Sequence, residues 1–193
     1  MNLRNTFLTA ALAALAVPAF SQSTTTINER KENQQDRIAN GVASGQLTAG
    51  ETKKLEGKEA ALNQEERDMR KLDNGKLTAA DRATLNKQQN QLSKQIYNQK
   101  HDASVQNTNP KTEVGRRQEN QQDRIAQGIK SGQLTAGEAA HLEKREAAIN
   151  KEVKMDRASN GGKLTPAERR QVNRQENRTS AAIYHKKHNG RTQ

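Results

Sequence analysis

An internal duplication constrains this chain more than any other feature. Glu32-Asn33-Gln34-Gln35-Asp36-Arg37-Ile38-Ala39 recurs as Glu119-Asn120-Gln121-Gln122-Asp123-Arg124-Ile125-Ala126. The run from Ser44 to Glu51 recurs from Ser131 to Glu138, Ile96-Tyr97 as Ile183-Tyr184, and Lys100-His101 as Lys187-His188. One offset, 87 residues, aligns them all without a gap. About 40 of roughly 72 aligned positions are identical, which marks a tandem copy and not a compositional echo. Whatever one copy folds into, the other must fold into as well.

A shorter pattern cuts each copy into pieces. Gly-x-Leu-Thr-x-x-acid occurs from Gly45 to Glu51, Gly75 to Asp81, Gly132 to Glu138 and Gly162 to Glu168. Glycine takes the left-handed conformation that ends a helix. The threonine three residues on (Thr48, Thr78, Thr135, Thr165) is a good N-cap, and the acid that follows (Glu51, Asp81, Glu138, Glu168) completes a capping box. Pro166 falls at a first helical position, where its missing N–H costs nothing. The joints predict six helices: Ile27 to Ala43, Ala49 to Leu72, Ala79 to His101, Glu113 to Lys130, Ala136 to Ala158 and Pro166 to His188. Apolar residues recur at helical spacing, as in Leu55, Leu62 and Met69, then Leu85, Leu92 and Ile96. Leu142, Ile149 and Val153, then Val172 and Ile183, continue this in the second copy, and no window alternates with period two. The expected fold is all-α: two tandem copies of a three-helix unit, long antiparallel helices around a thin core. Tyr97 and Tyr184, at matching helix ends, are read as closing the end of that core.

The division that follows is a signal peptide at 1–21, a tail at 22–26, helical repeat units at 27–101 and 113–189, a linker at 102–112 and a tail at 190–193. The N-terminal assignment rests on Arg4, the apolar run Phe7 to Val17, and Pro18-Ala19-Phe20-Ser21 with small residues before a cleavage point after Ser21. The apolar run is too short to span a bilayer as a helix. The expected address is therefore periplasmic or secreted. Asn107, Asn109 and Pro110 give the linker a flexible composition, long enough for the copies to move independently and to act bivalently.

Composition narrows the chemistry. The chain has 33 Lys and Arg against 22 Asp and Glu, for a formal charge of +11, and no cysteine. Thiolate zinc sites and disulfides are excluded. No Gly-x-Ser-x-Gly occurs, and Gly162-Lys163-Leu164-Thr165 lacks the Lys-Ser/Thr pair of a phosphate loop. The carboxylates are expected on exposed helical faces, in i,i+4 pairs with Lys and Arg. With little apolar wall to desolvate a site, no enzyme and no cofactor are expected. Calcium is disfavoured because threading Gly75 onto an EF-hand glycine puts Arg70 and Leu72 at ligand positions. His185 and His188 share a helical face, with His101 matching His188, but no third ligand for a transition metal is visible.

Charge is uneven. From Pro166 onward there are seven basic residues (Arg169, Arg170, Arg174, Arg178, Lys186, Lys187, Arg191) and two acids, Glu168 and Glu176. Arg170, Arg174 and Arg178, spaced by four, stack on one stripe suited to phosphates. With Lys186 and Lys187 they form the candidate polyanion-binding set. Sequence-specific nucleic-acid reading is not expected, because aromatic residues to stack bases are lacking. Anionic polymers, lipopolysaccharide and unfolded proteins are the expected partner classes, and the chain has no second apolar run to anchor it in a membrane.

The four joints resemble the Leu-Thr-x-x-Gln motif of the Spy/CpxP periplasmic proteins, at Leu47 to Glu51, Leu77 to Asp81, Leu134 to Glu138 and Leu164 to Glu168, with Glu or Asp in place of Gln. The resemblance implies a small, basic, all-helical, chaperone-like protein. The longer pattern, Ser-Gly-Gln-Leu-Thr-x-Gly-Glu followed by Asn-Gly-Gly-Lys-Leu-Thr, resembles uncharacterised exported repeat proteins of Gram-negative bacteria, which implies export and helices. The expected function is binding or chaperone-like action on anionic envelope components or unfolded clients. The alternatives are a structural or stress-abundance protein without a specific ligand, and a degenerate EF-hand-like or histidine-based metal binder.

Overall fold

The computed structural model describes residues 26–106 and 110–192. The proposed signal peptide lies outside these residues. Six helices follow in order: α1 (Ile27–Ala43), α2 (Ala49–Leu72), α3 (Ala79–Lys100), α4 (Glu113–Lys130), α5 (Ala136–Ser159) and α6 (Pro166–Lys187). The fold is all-α, and the helix ends fall within one residue of those read from the joints. No described helix is long and apolar enough to cross a membrane.

Local chemistry explains the joints. Thr48, Thr78, Thr135 and Thr165 each accept from the amide three residues on, and the acid there reaches back to the threonine amide. Thr26 does the same for α1 with Glu29, and Thr112 caps α4. Gly45 and Gly132 sit at φ +70° and +69° in the first joint of each copy. The chain then doubles back so closely that Leu47 N–H bonds to the Gly41 carbonyl at 2.9 Å, and Leu134 N–H to Gly128 at the same distance. A methyl on Gly41 would meet the Leu47 side chain at 2.7 Å, and one on Gly128 would meet Leu134 at 2.6 Å. Glycine is required there for close approach.

Packing differs from the sequence expectation of two independently moving copies. α2 packs along α5 and α1 along α4, while α3 lies against α1 and α2, and α6 against α4 and α5. The α2·α5 pair is antiparallel: Ala60 abuts Gly137, while Thr48 to Gly50 lie beside Ala147 to Arg157. One buried cluster takes Ile38, Leu47, Leu55 and Ile96 from the first copy and Ile125, Leu134, Leu142 and Ile183 from the second. The copies share a core because each three-helix unit is too poor in large apolar residues to close its own. Part of the linker is also tied down, since Gln106 N–H bonds to the Gly45 carbonyl and its side chain accepts from Ala49 N–H.

Two other expectations fail. Tyr97 and Tyr184 are 57% and 56% exposed, so they do not close the core. Ile96 and Ile183, one residue earlier, face inward, which turns each tyrosine to solvent, where it stacks on His101 or His188. The carboxylates are not confined to exposed faces either: Glu56, Glu59, Glu143, Glu146 and Glu176 are fully buried.

Candidate functional site

Two features stand out from the packed bundle, a row of arginines on the outside of α6 and a set of buried carboxyls on α2, α5 and α6.

The outer row comes from helical geometry. Val172, Glu176, Thr179 and Ile183 follow a 4-3-4 spacing and point inward. Arg170, Arg174 and Arg178 occupy the opposite face and are all exposed. None makes a hydrogen bond or ion pair among the described residues. Because Glu176 is buried, it does not offset them at the surface, and Glu168 is engaged at the helix start as the cap of Thr165. Arg178 shares a shallow groove with Arg145, Glu152 and Gln175. Glu152 there already accepts from Gln171 at 2.6 Å and Gln175 at 2.8 Å. The matching positions of α3 are Ala83, Lys87 and Gln91, so the arginine row is not part of the duplicated scaffold.

The two lysines of the candidate set lie apart from this row. Lys186 is half-buried, with its ammonium 3.8 Å from Glu138. Glu138 also accepts from Asn189 at 2.6 Å. Burial works against ionisation of Glu138, but the bonds from Asn189 and Thr135 outweigh it and hold its carboxyl below the ordinary value. Lys187 packs against α4 near Gly128. Burial, and then Arg124, lower its ammonium from the ordinary value. Structure thus places three of the five predicted residues together on a free face and gives the other two packing roles.

The inner row was not read from the sequence. Gln35 of α1 donates to Glu56 at 3.2 Å, and Gln122 of α4 donates to Glu143 at 3.1 Å. The second oxygens of Glu56 and Glu143 have no partner, nor do the oxygens of Glu59 and Glu146, while the carboxyl of Glu176 faces the Gln121 and Gln118 amides. Burial pushes Glu143 up to about 8, against the opposing Gln122 hydrogen bond. Burial likewise raises Glu59 to about 7, opposed by Lys31 and reinforced by Glu66. Glu176 rises to about 7 by burial, opposed by Arg117. Glu56 and Glu146 are raised well above the ordinary value, mainly by burial. A signal existed. Leu55, Glu59, Leu62, Glu66 and Met69 are spaced 4-3-4-3, as are Leu142, Glu146, Ile149, Val153 and Asp156, so the glutamates interrupt the apolar stripes at inward positions.

Only some glutamates have charge partners. Glu66 is bridged by Lys31 and Arg70, each at 2.8 Å. Burial disfavours its charge, but those two bonds prevail and lower its pKa. In the second copy Val153 takes that place and packs with Val114, Ile149 and Val172. Among the described residues no group of three or more His, Asp or Glu is arranged to hold a metal ion. Histidines 101 and 188 each direct Nδ1 at a tyrosine carbonyl, 2.7 Å away. No family model, curated protein or solved structure matches the sequence.

Proposed function

We propose that this is an exported, non-catalytic helical protein that binds anionic envelope polymers through the outer face of α6. The observation that carries this reading is the row Arg170, Arg174 and Arg178: exposed, unpaired, and matched in the first copy by a single cation, Lys87, between Ala83 and Gln91. A row of guanidinium groups spaced along about 12 Å of helix presents planar donor forks to successive phosphates or sulfates. The formal charge of +11 adds long-range attraction that salt screens. The capped, rigid helix keeps the row in register, and the shallow groove beside Arg178 suits an extended polymer better than an enclosed small molecule. Export rests on the N-terminal pattern from Arg4 to Ser21.

The test is elution from heparin and binding to anionic vesicles at graded salt. The variant Arg170→Gln, Arg174→Gln, Arg178→Gln is compared with a charge-matched control, Lys53→Gln, Lys54→Gln, Lys94→Gln, drawn from exposed positions elsewhere. The arginine variant is expected to release at clearly lower salt than the control. Equal release would leave net charge alone as the cause and defeat the α6 assignment.

A further inference from the structure

The buried carboxyls begin at the α2·α5 seam between the copies and continue into the second copy, where α6 packs on α4 and α5. Glu56 and Glu59 project from α2, Glu143 and Glu146 from α5, and Glu176 from α6, all fully shielded from solvent. Glu143 acts electrostatically on Glu56 across the α2·α5 seam, and Glu176 on Glu146 across α5·α6 within the second copy. The surrounding groups do not neutralise them. From α1 come the Gln35 amide and the Lys31 ammonium, the latter already bridged to Glu66. From α4 come the Gln122 amide and the Arg117 guanidinium, which is also bound to Asn177 of α6. On α3 the position matching Glu176 is the neutral Gln89, whose own side chain donates to the Ile27 carbonyl. Five carboxylates cannot stay ionised in such surroundings without disrupting the packing around them.

We infer that the seam between the copies is a proton-gated interface, closed while its glutamates carry protons and opened when they ionise. This goes beyond the polyanion reading and does not depend on it. Protonation turns an unpartnered oxygen into a hydroxyl donor, and unpartnered glutamine oxygens lie nearby: those of Gln35 and Gln122 on the same amides that donate to Glu56 and Glu143. Ionisation of Glu56 and Glu143 places like charges across α2·α5, which separating the two copies relieves, while Glu146 and Glu176 add like charge behind α5 within the second copy. The raised values set the window. The unfolded carboxyls lose protons near 4.5 and the buried ones near 7 to 8, so the folded state holds extra protons between, and stability falls as pH rises through that interval. Opening would expose Leu55 and Leu142, the apolar residues at the centre of the seam.

Net charge predicts the reverse. A chain already at +11 gains positive charge on acidification and should become less stable through self-repulsion. The first experiment is therefore urea unfolding of the full chain at about pH 5.5 and about pH 8.5 after chelator treatment, with a midpoint higher at the acidic pH by on the order of 1 M. A midpoint equal or lower at the acidic pH overturns the inference. Carbon-13 NMR of the glutamate carboxyls in the wild-type chain gives an independent reading. Several side chains titrating above about pH 6 support the gate, whereas all of them titrating near the ordinary value overturn it. A spin-label pair at Thr84→Cys and Ala181→Cys, both exposed and in a chain with no other cysteine, reports separation. The distance should lengthen and broaden at about pH 8.5 and shorten on re-acidification. The combined Gln variant of the five glutamates should hold the short distance at both pH values. Opening unchanged in that folded variant would overturn the assignment to these carboxyls.

Discussion

Glu176 shows most clearly what one side chain does in this bundle. It sits between Val172 and Thr179 on the inward face of α6, where the first copy carries Gln89. Both residues fill the same volume, but only the glutamate can acquire charge. Its carboxyl is pushed up to about 7 by burial, so it favours folding least once pH exceeds that value. Glu176→Gln is accordingly expected to stabilise the chain by about 1–3 kcal/mol at pH 8.5 and to be near neutral at pH 4.5 and below, measured by urea titration. Equal effects at the two pH values would remove the carboxyl from the account. Gly128 carries a different constraint. A methyl there would stand 2.6 Å from Leu134, so Gly128→Ala should cost about 1–3 kcal/mol by thermal or urea unfolding, and Gly41→Ala a similar amount against Leu47. Gly57, with nothing within 4 Å of an added methyl, should accept Ala without loss and serves as the control.

At the scale of the helix, the joints do the organising. Every start but that of α4 is held by a reciprocal pair of bonds between a threonine and an acid three residues later, visible at Thr48 with Glu51 and at Thr135 with Glu138. Thr135→Ala should cost about 0.5–2 kcal/mol, and helix content by circular dichroism should fall only when unfolding begins. Such caps depend on residues within one turn, which is why the sequence placed all six helices to within a residue. What tertiary neighbours decide was less legible. The stripe Leu55, Leu62, Met69 was readable, yet Glu59 and Glu66 at its inward positions were read as solvated because acids on helices usually are. The matching places of Tyr97 and Tyr184 at helix ends suggest core-closing roles, but the 3.6-residue period puts Ile96 and Ile183 inside and turns the rings outward. The arginine row on α6 was readable by its spacing of four. That Lys186 would lean to Glu138 was not, since Glu138 lies on another helix.

The whole molecule is a duplicated bundle in which neither copy closes alone. Polar clamps are repeated faithfully: Gln34 donates to the Gln89 carbonyl and Ser93, and Gln121 to the Glu176 carbonyl and Ser180. These fix α1 on α3 and α4 on α6, while the shared cluster from Ile38 to Ile183 joins the halves. Unfolding should therefore be one cooperative transition, and Leu142→Ala should lower stability by about 2–5 kcal/mol, with the midpoint falling equally for probes in both copies. The most direct measurement exploits the absence of cysteine. Ala60 of α2 lies 3.9 Å from a methyl built on Gly137 of α5, a spacing suited to a disulfide. Ala60→Cys with Gly137→Cys, treated at about pH 5.5 with one equivalent of 2,2′-dithiodipyridine, should form an intramolecular bond as one thiol takes up a pyridylthio group and the second displaces it, two thiopyridones leaving. The product is detected as a faster-migrating monomer that reverts on reduction. Free thiols, or bonds only between separate chains, would contradict the shared seam.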